Sequence, residues 1–225
     1  HYATVSAALD EAGMPSEHLI AEGHPNRILL QVGKDKDVDL IVLGARGHSL
    51  VARALLGSTS DYIANHARCP ALVVRPPSKD KPAEHPFRVV LAYDGSAGSK
   101  FAAEQLFSQN WCAETEVQIT TLLERPNLLP DDVVYDTAAI EEAEKTLAEL
   151  VASCKCAGNV TYKVRETVHV GSAISLLAEK EHGDLIFVGE TGKSALSRFF
   201  LGSAARHVLH HSPCSVWVAR KKHWD

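Results

Sequence analysis

Residues 184–220 read DLIFVGETGKSALSRFFLGSAARHVLHHSPCSVWVAR, and residues 39–75 read DLIVLGARGHSLVARALLGSTSDYIANHARCPALVVR. The two align without a gap at an offset of 145, and 14 of the 37 pairs are identical. The matches include all three glycines, the serine after the third, a cysteine and the closing arginine. Each segment opens on an apolar run, passes a glycine-rich crossover into helical spacing, and ends on a second apolar run. That order reads as strand, helix, strand. Self-similarity over a whole unit of this kind is the mark of a duplicated domain.

Working outward, PPSKDKPAEHPF (76–87) is proline-rich and charged, as a linker is. It divides the chain into a first domain over 1–75 and a second over 88–220. The second parses in full. RVVLAYD (88–94) predicts a strand and a turn, 97–108 a helix, and TEVQITTLL (115–123) a second strand. EEAEKTLAELVASC (141–154) predicts an amphipathic helix, acidic towards its start as the dipole favours. A strand at 160–167, a helix from about Gly171, a strand at 184–188, a helix after Gly202 and a strand at 215–219 complete it. Strands alternating with helices imply an α/β fold, a doubly wound parallel sheet of five strands. The first copy begins in a helix (Tyr2 to Ala12), predicts a strand near 17–22, and then follows the pattern. It lacks counterparts of the first two strands, so about 55 to 60 upstream residues are expected to supply them, given the complete doubly wound domain. A second chain is the other possible source.

Composition narrows the functional classes. Hydrophobic residues make up 45% and charged residues 23%, and the formal net charge is −5. No basic run offers a footprint for nucleic acid. The longest apolar runs, LIVL (40–43) and LIFV (185–188), are too short to span a bilayer. Five cysteines at 69, 112, 154, 156 and 214 form no disulfide framework and suit a reducing, cytoplasmic compartment. His207, His210 and His211 share one helical face, but no converging carboxylate or cysteine in sequence completes a metal site.

The chemistry lies in the crossovers. GETGKS (189–194) looks like the end of a P-loop, but that loop needs four residues between its first glycine and Gly-Lys. Phe187 occupies the required position, so the spacing does not fit. What both segments share is Gly-x2-Gly-x9-Gly-Ser: Gly44, Gly47, Gly57 and Ser58, then Gly189, Gly192, Gly202 and Ser203. The first glycine ends a buried strand, where open α/β sheets bind ligands. The last Gly-Ser opens a helix whose free N–H groups and dipole suit an anion. The serine is expected to cap that helix and to donate to a phosphate oxygen. Lys193 adds a mobile positive charge. Tight turns alone would also explain the glycines, but two identically spaced copies at strand–helix junctions favour a ligand site.

These features resemble the universal stress protein family: the glycine pattern, the preceding DLI run, the closing CPALVVR, and YDGS at 93–96. The resemblance covers nearly all of 88–220 and about 16–75. It implies a sheet in the order 3-2-1-4-5, two domains in tandem, and ATP as the ligand. Asp94 would then sit beside the ribose and phosphates or a metal ion such as Mg²⁺. Ala92 and Tyr93 would flank the adenosine, and Leu122 would offer its backbone to the adenine edge. Gly189, Gly192, Gly202 and Ser203 would wrap the ribose and phosphates. Gly44, Gly47, His48, Gly57 and Ser58 would form the phosphate half of another site. Glu190 departs from the expected pattern and brings a negative charge towards phosphates. The resemblance also implies antiparallel pairing of the last strands, PALVVR (70–75) with SVWVAR (215–220), and leaves homodimerisation open. The expected function is an ATP-binding sensor or regulator in stress response. A slow ATP-hydrolysing or nucleotidyl-transferring enzyme and a scaffold with an empty site are the alternatives.

Overall fold

A computed structural model describes residues 2–45, 56–77, 85–125, 137–154, 159–192 and 201–224. Its strands are β1 (Ile41–Gly44), β2 (Ala71–Val74), β3 (Arg88–Ala92), β4 (Glu116–Glu124), β5 (Asn159–Thr167), β6 (Leu185–Gly189) and β7 (Ser215–Ala219). Its helices are α1 (Tyr2–Glu11), α2 (Pro25–Asp35), α3 (Ser58–His66), α4 (Ala97–Phe107), α5 (Thr137–Ser153), α6 (Val170–Lys180) and α7 (Ser203–His211). All seven strands join one sheet in the order β1-β2-β7-β6-β3-β4-β5. Read from β5 to β7, the strands of 88–220 stand in the order 3-2-1-4-5, all parallel.

Burial on both faces explains why the central strands are continuously apolar. Val89 and Leu91 of β3 and Phe187 of β6 pack with Ala102, Leu106 and Leu147 from α4 and α5. Val90, Ile186 and Val188 point the other way, onto Ile174, Leu177, Val208 and Leu209 of α6 and α7. Phe187 has no exposed surface and stacks on Trp217 at 5.0 Å between ring centroids. Burying each such side chain stabilises the fold by roughly 1.5–3 kcal/mol.

One seam is antiparallel: β2 meets β7, with Ala71 opposite Val218 and Val73 opposite Val216. Each strand thereby covers an apolar edge of the other. The arginines that close the two aligned segments cross this seam reciprocally. Arg75 donates through Nη2 to the Leu209 carbonyl of α7 at 2.7 Å. Arg220 donates to the carbonyls of Ala64 in α3 and of Ala67 just beyond it. Leu209 and Ala64 are themselves partners in the self-alignment, so the two contacts are one contact made twice. Because the seam reverses direction, the carboxyl ends of β1 and β6 lie at opposite edges of the sheet.

The strand expected near 17–22 is not there. Residues 14–22 form no helix or strand, and Leu19 and Ile20 are 55% and 82% exposed. A strand exists by its ladder, and among the described residues β1 pairs on one side alone, with β2. The chain's last residues instead brace this region. Lys222 Nζ bonds Asp37 and Asp39, and the Trp224 indole donates to the Val38 carbonyl at 2.8 Å.

Candidate nucleotide site

The site is assembled where two crossovers meet at the carboxyl ends of β3 and β6, the switch point of the sheet. After β3 the chain turns at Gly95, whose φ of +77° suits glycine. The turn returns the Ser96 N–H to Asp94 Oδ1 at 2.9 Å, while the Ser96 hydroxyl accepts from Ser99 N and caps α4. The crossover after β6 lies directly on this turn, with the Ser96 hydroxyl 3.3 Å from the Thr191 carbonyl. A Cβ on Gly98 would collide with that carbonyl, and a Cβ on Gly189 would lie 2.6 Å from the Gly98 carbonyl oxygen. A Cβ on Gly192 would stand 2.9 Å from Asp94 Oδ2. Gly98 and Gly189 are therefore demanded by backbone packing, while Gly192 faces only the Asp94 carboxylate, a side-chain end that can shift. Gly98 was missed in the sequence because its partner lies 93 residues away; its only signal was its place in YDGSAGS.

Gly202 behaves differently. Its φ of −59° and ψ of 155° are open to any residue, and an added Cβ would find only ordinary contacts at 3.5 Å and beyond. Nothing in the described chain requires glycine here. Its N–H donates to the Glu190 carbonyl at 2.7 Å, and its carbonyl accepts from Arg206 N at 2.9 Å. Gly202 is thus the cap residue of α7, and Ser203 is the first helical residue; the expectation of a capping serine is corrected. The same holds in the first segment: Gly57 N–H donates to Ala45 O at 2.7 Å, and Ser58 opens α3 behind the glycine cap. Helices α4 and α6 are capped by the side chains of Ser96 and His169. Among the described residues, no side chain caps α3 or α7, which leaves their first N–H groups and positive dipole ends for solvent or a ligand.

The remaining residues divide. Ala92 packs towards the α6–α7 layer, while Tyr93 is 6% exposed with its ring in the α4–α5 core. The Tyr93 N–H donates to Thr120 O and its carbonyl accepts from the Thr121 hydroxyl, so both backbone groups face β4. Burial, and to a lesser degree Asp94, pushes its phenol up. Leu122 pairs with Arg165 of β5, two residues before β4 ends. Thr120 pairs with the β3 side, so by alternation the Leu122 backbone points the same way, beyond the end of β3. An open hollow of about 570 Å³ lies at the carboxyl ends of β4 and β5, lined by Arg125, Arg165, Glu166, Thr167 and Val168. Gly47, His48 and Lys193 lie outside the described residues. Gly44 and Gly57 are brought together, and the Ser60 hydroxyl donates to Gly44 O at 2.7 Å.

Glu190, the departure from the pattern, has a partner that its sequence neighbours do not reveal. Its carboxylate lies 3.7 Å from Nε of Arg220, a side chain only 3% exposed. Burial raises the Glu190 carboxyl, and Arg220 and then His223 pull it back. The histidines find partners of their own. His210 meets Asp61 at 3.1 Å, and His207 meets the Ser172 hydroxyl at 3.2 Å and lies 4.4 Å from His211 between ring centroids. Among the described residues, no group of three or more His, Cys, Asp or Glu side chains could hold a metal ion. Asp94 is a single carboxylate, which fits Mg²⁺ only where phosphate oxygens share the ion. Among the described residues, no helix is long and apolar enough to cross a membrane.

Comparison with known proteins agrees with this architecture. The sequence profile of the universal stress protein family matches residues 2–75 and 87–220. The chain is 33% identical over 195 residues to universal stress protein Rv1996 of Mycobacterium tuberculosis, covering 82% of this chain and 60% of that protein. It is 29% identical over 185 residues to Mb2028c of Mycobacterium bovis, covering 82% and 63%. It thus spans about three fifths of these relatives' length. A universal stress protein structure from Archaeoglobus fulgidus superposes with a TM-score of 0.65 at 20% identity, covering 100% of this chain and 76% of that one. One from Pseudomonas aeruginosa gives 0.68 at 16%, covering 97% and 78%. With its profile matched across both segments, this chain belongs to the universal stress protein family.

Proposed function

We propose that this chain is a tandem universal stress protein, with domains over 1–75 and 88–220 joined by 76–87, that binds ATP in the second domain. It acts as a cytoplasmic sensor or regulator whose bound nucleotide alters its shape or its partners. The observation that carries this reading is Gly202. Among the described residues, nothing in the packing needs this glycine and no side chain caps the helix that it heads, which leaves backbone N–H groups for an anion. Asp94 faces Gly192 across the crossover, and in this reading it meets a ribose hydroxyl or shares Mg²⁺ with phosphates. Gly189 and Gly192 hold the crossover down on the Asp94 turn, and the Leu122 backbone edge supplies an adenine contact. Gly44, Gly57 and Ser58, with Gly47 and His48, form the phosphate half of a first-domain site.

A dedicated enzyme is the weaker reading, because phosphoryl transfer calls for several metal-binding carboxylates and a positioned base or cation. Of the two carboxylates named at these crossovers, Asp94 and Glu190, the second faces Arg220. Titration calorimetry with ATP, ADP, AMP and adenosine, with and without Mg²⁺, tests the proposal. Saturable binding of the nucleotides with turnover well below about one per second supports a regulator. Faster turnover supports the enzyme, and no saturable binding of any of them leaves the scaffold.

A further inference from the structure

Arg220 is buried within a site loop's reach, yet the fold accounts for only part of its guanidinium. Its two Nη groups bond the carbonyls of Ala64 and Ala67, across the β2–β7 seam. Its Nε is buried without a hydrogen bond, and the acid facing it is Glu190, 3.7 Å away. Glu190 stands between Gly189 and Gly192, and its carbonyl holds the Gly202 N–H. Its carboxylate therefore belongs to the loop that heads α7. The matching position in the first segment is Ala45, while the matching Arg75 still bonds α7. The seam contact thus recurs in the first segment, where alanine stands at the position that Glu190 holds in the second.

We propose that Arg220 is a positioning residue for Glu190: it draws the carboxylate off the phosphate side of the loop and offsets its charge, so that an acidic loop still accepts a polyphosphate. This rests on the nucleotide reading above and adds a consequence. The charge state of the 88–220 site is set by an arginine whose other hydrogen bonds reach the first segment, at Ala64 and Ala67. Discrimination among nucleotides by phosphate number then depends on the seam. Without Arg220, the loop carboxylate faces the phosphates as a like charge, and the penalty grows with the number of phosphates.

The test is titration calorimetry of ATP, AMP and adenosine at fixed ionic strength on the wild type, Arg220→Gln, Glu190→Gln and the double variant. Arg220→Gln is expected to weaken ATP about tenfold, AMP about threefold and adenosine not at all. The double variant is expected to return ATP to within about twofold of wild type, a recovery that a merely structural role for Arg220 would not give. If Arg220→Gln does not fold, Glu190→Gln alone decides, because Arg220 then stands uncompensated. ATP should tighten several-fold relative to AMP, and an unchanged ratio overturns the proposal. Equal losses for all three ligands in Arg220→Gln, or no recovery in the double variant, overturn it as well. A wild type that binds no nucleotide removes the functional reading itself, and this inference with it.

Discussion

Replacing Gly202 by serine separates a structural glycine from a ligand glycine, because the two readings predict opposite signs. The backbone at Gly202 suits an L-residue, and the nearest atoms to an added Cβ are Glu190 O and Gly192 N, both at 3.5 Å. Serine at this cap position accepts from the N–H of Ala204 or Ala205, as Ser96 accepts from Ser99 in α4. The gain over glycine is a few tenths of a kcal/mol. In a chain of this size that raises Tm by about 1 °C. The same hydroxyl occupies the donors that a phosphate would use. Losing one hydrogen bond to a charged group costs about 1.5–3 kcal/mol, or about ten- to a hundredfold in Kd. Scanning calorimetry and MgATP titration on one preparation read both numbers. A variant that is at least as stable as wild type, yet binds MgATP within about twofold of it, would refute the claim that this glycine is kept for a ligand.

Other perturbations test the surrounding geometry. Gly98→Ala drives a Cβ into the Thr191 carbonyl, and urea denaturation should register a loss of about 1–3 kcal/mol. Gly33→Ala would place a Cβ 2.6 Å from the Trp224 ring and dislodge it from Val38; a red-shifted tryptophan emission, absent in Trp224→Phe, reports the displacement. His207 has its basicity lowered by burial and then by His211, His169 and His210. Below the ordinary histidine range the unfolded chain therefore binds more protons at this position, and stability falls as pH drops through that window. His207→Asn should flatten that part of a stability–pH profile, and an unaltered slope would count against the coupling within this histidine cluster.

Much of this was legible in the residues themselves. The repeat of 39–75 in 184–220 announced strand, crossover and helix twice, and the alternation of apolar runs with helical spacing specified a doubly wound sheet. Those features are local: periodicity and turn chemistry act within a few residues, so one sequence suffices to read them. The antiparallel pairing of the two last strands was expected from the family resemblance, and it is what β2 and β7 make. The strand looked for at 17–22 failed for the converse reason: three apolar residues propose a strand, but only a neighbouring ladder makes one.

The tertiary structure decided which glycines belong to the protein and which are spare. Gly98, Gly189, Gly192 and Gly202 look alike in sequence, and what distinguishes them is the atom that stands opposite across a gap. For Gly98 and Gly189 that atom is backbone of the other crossover, for Gly192 it is the Asp94 carboxylate, and among the described residues no atom crowds Gly202. Glu190 makes the same point in charge: alone it reads as a defect in a phosphate loop, and its compensation comes from Arg220, brought alongside by the parallel pairing of β6 with β7. Sequence determines what each segment can become on its own. Close approach and charge balance are properties of pairs, and pairs distant in the chain exist only once the sheet has assembled.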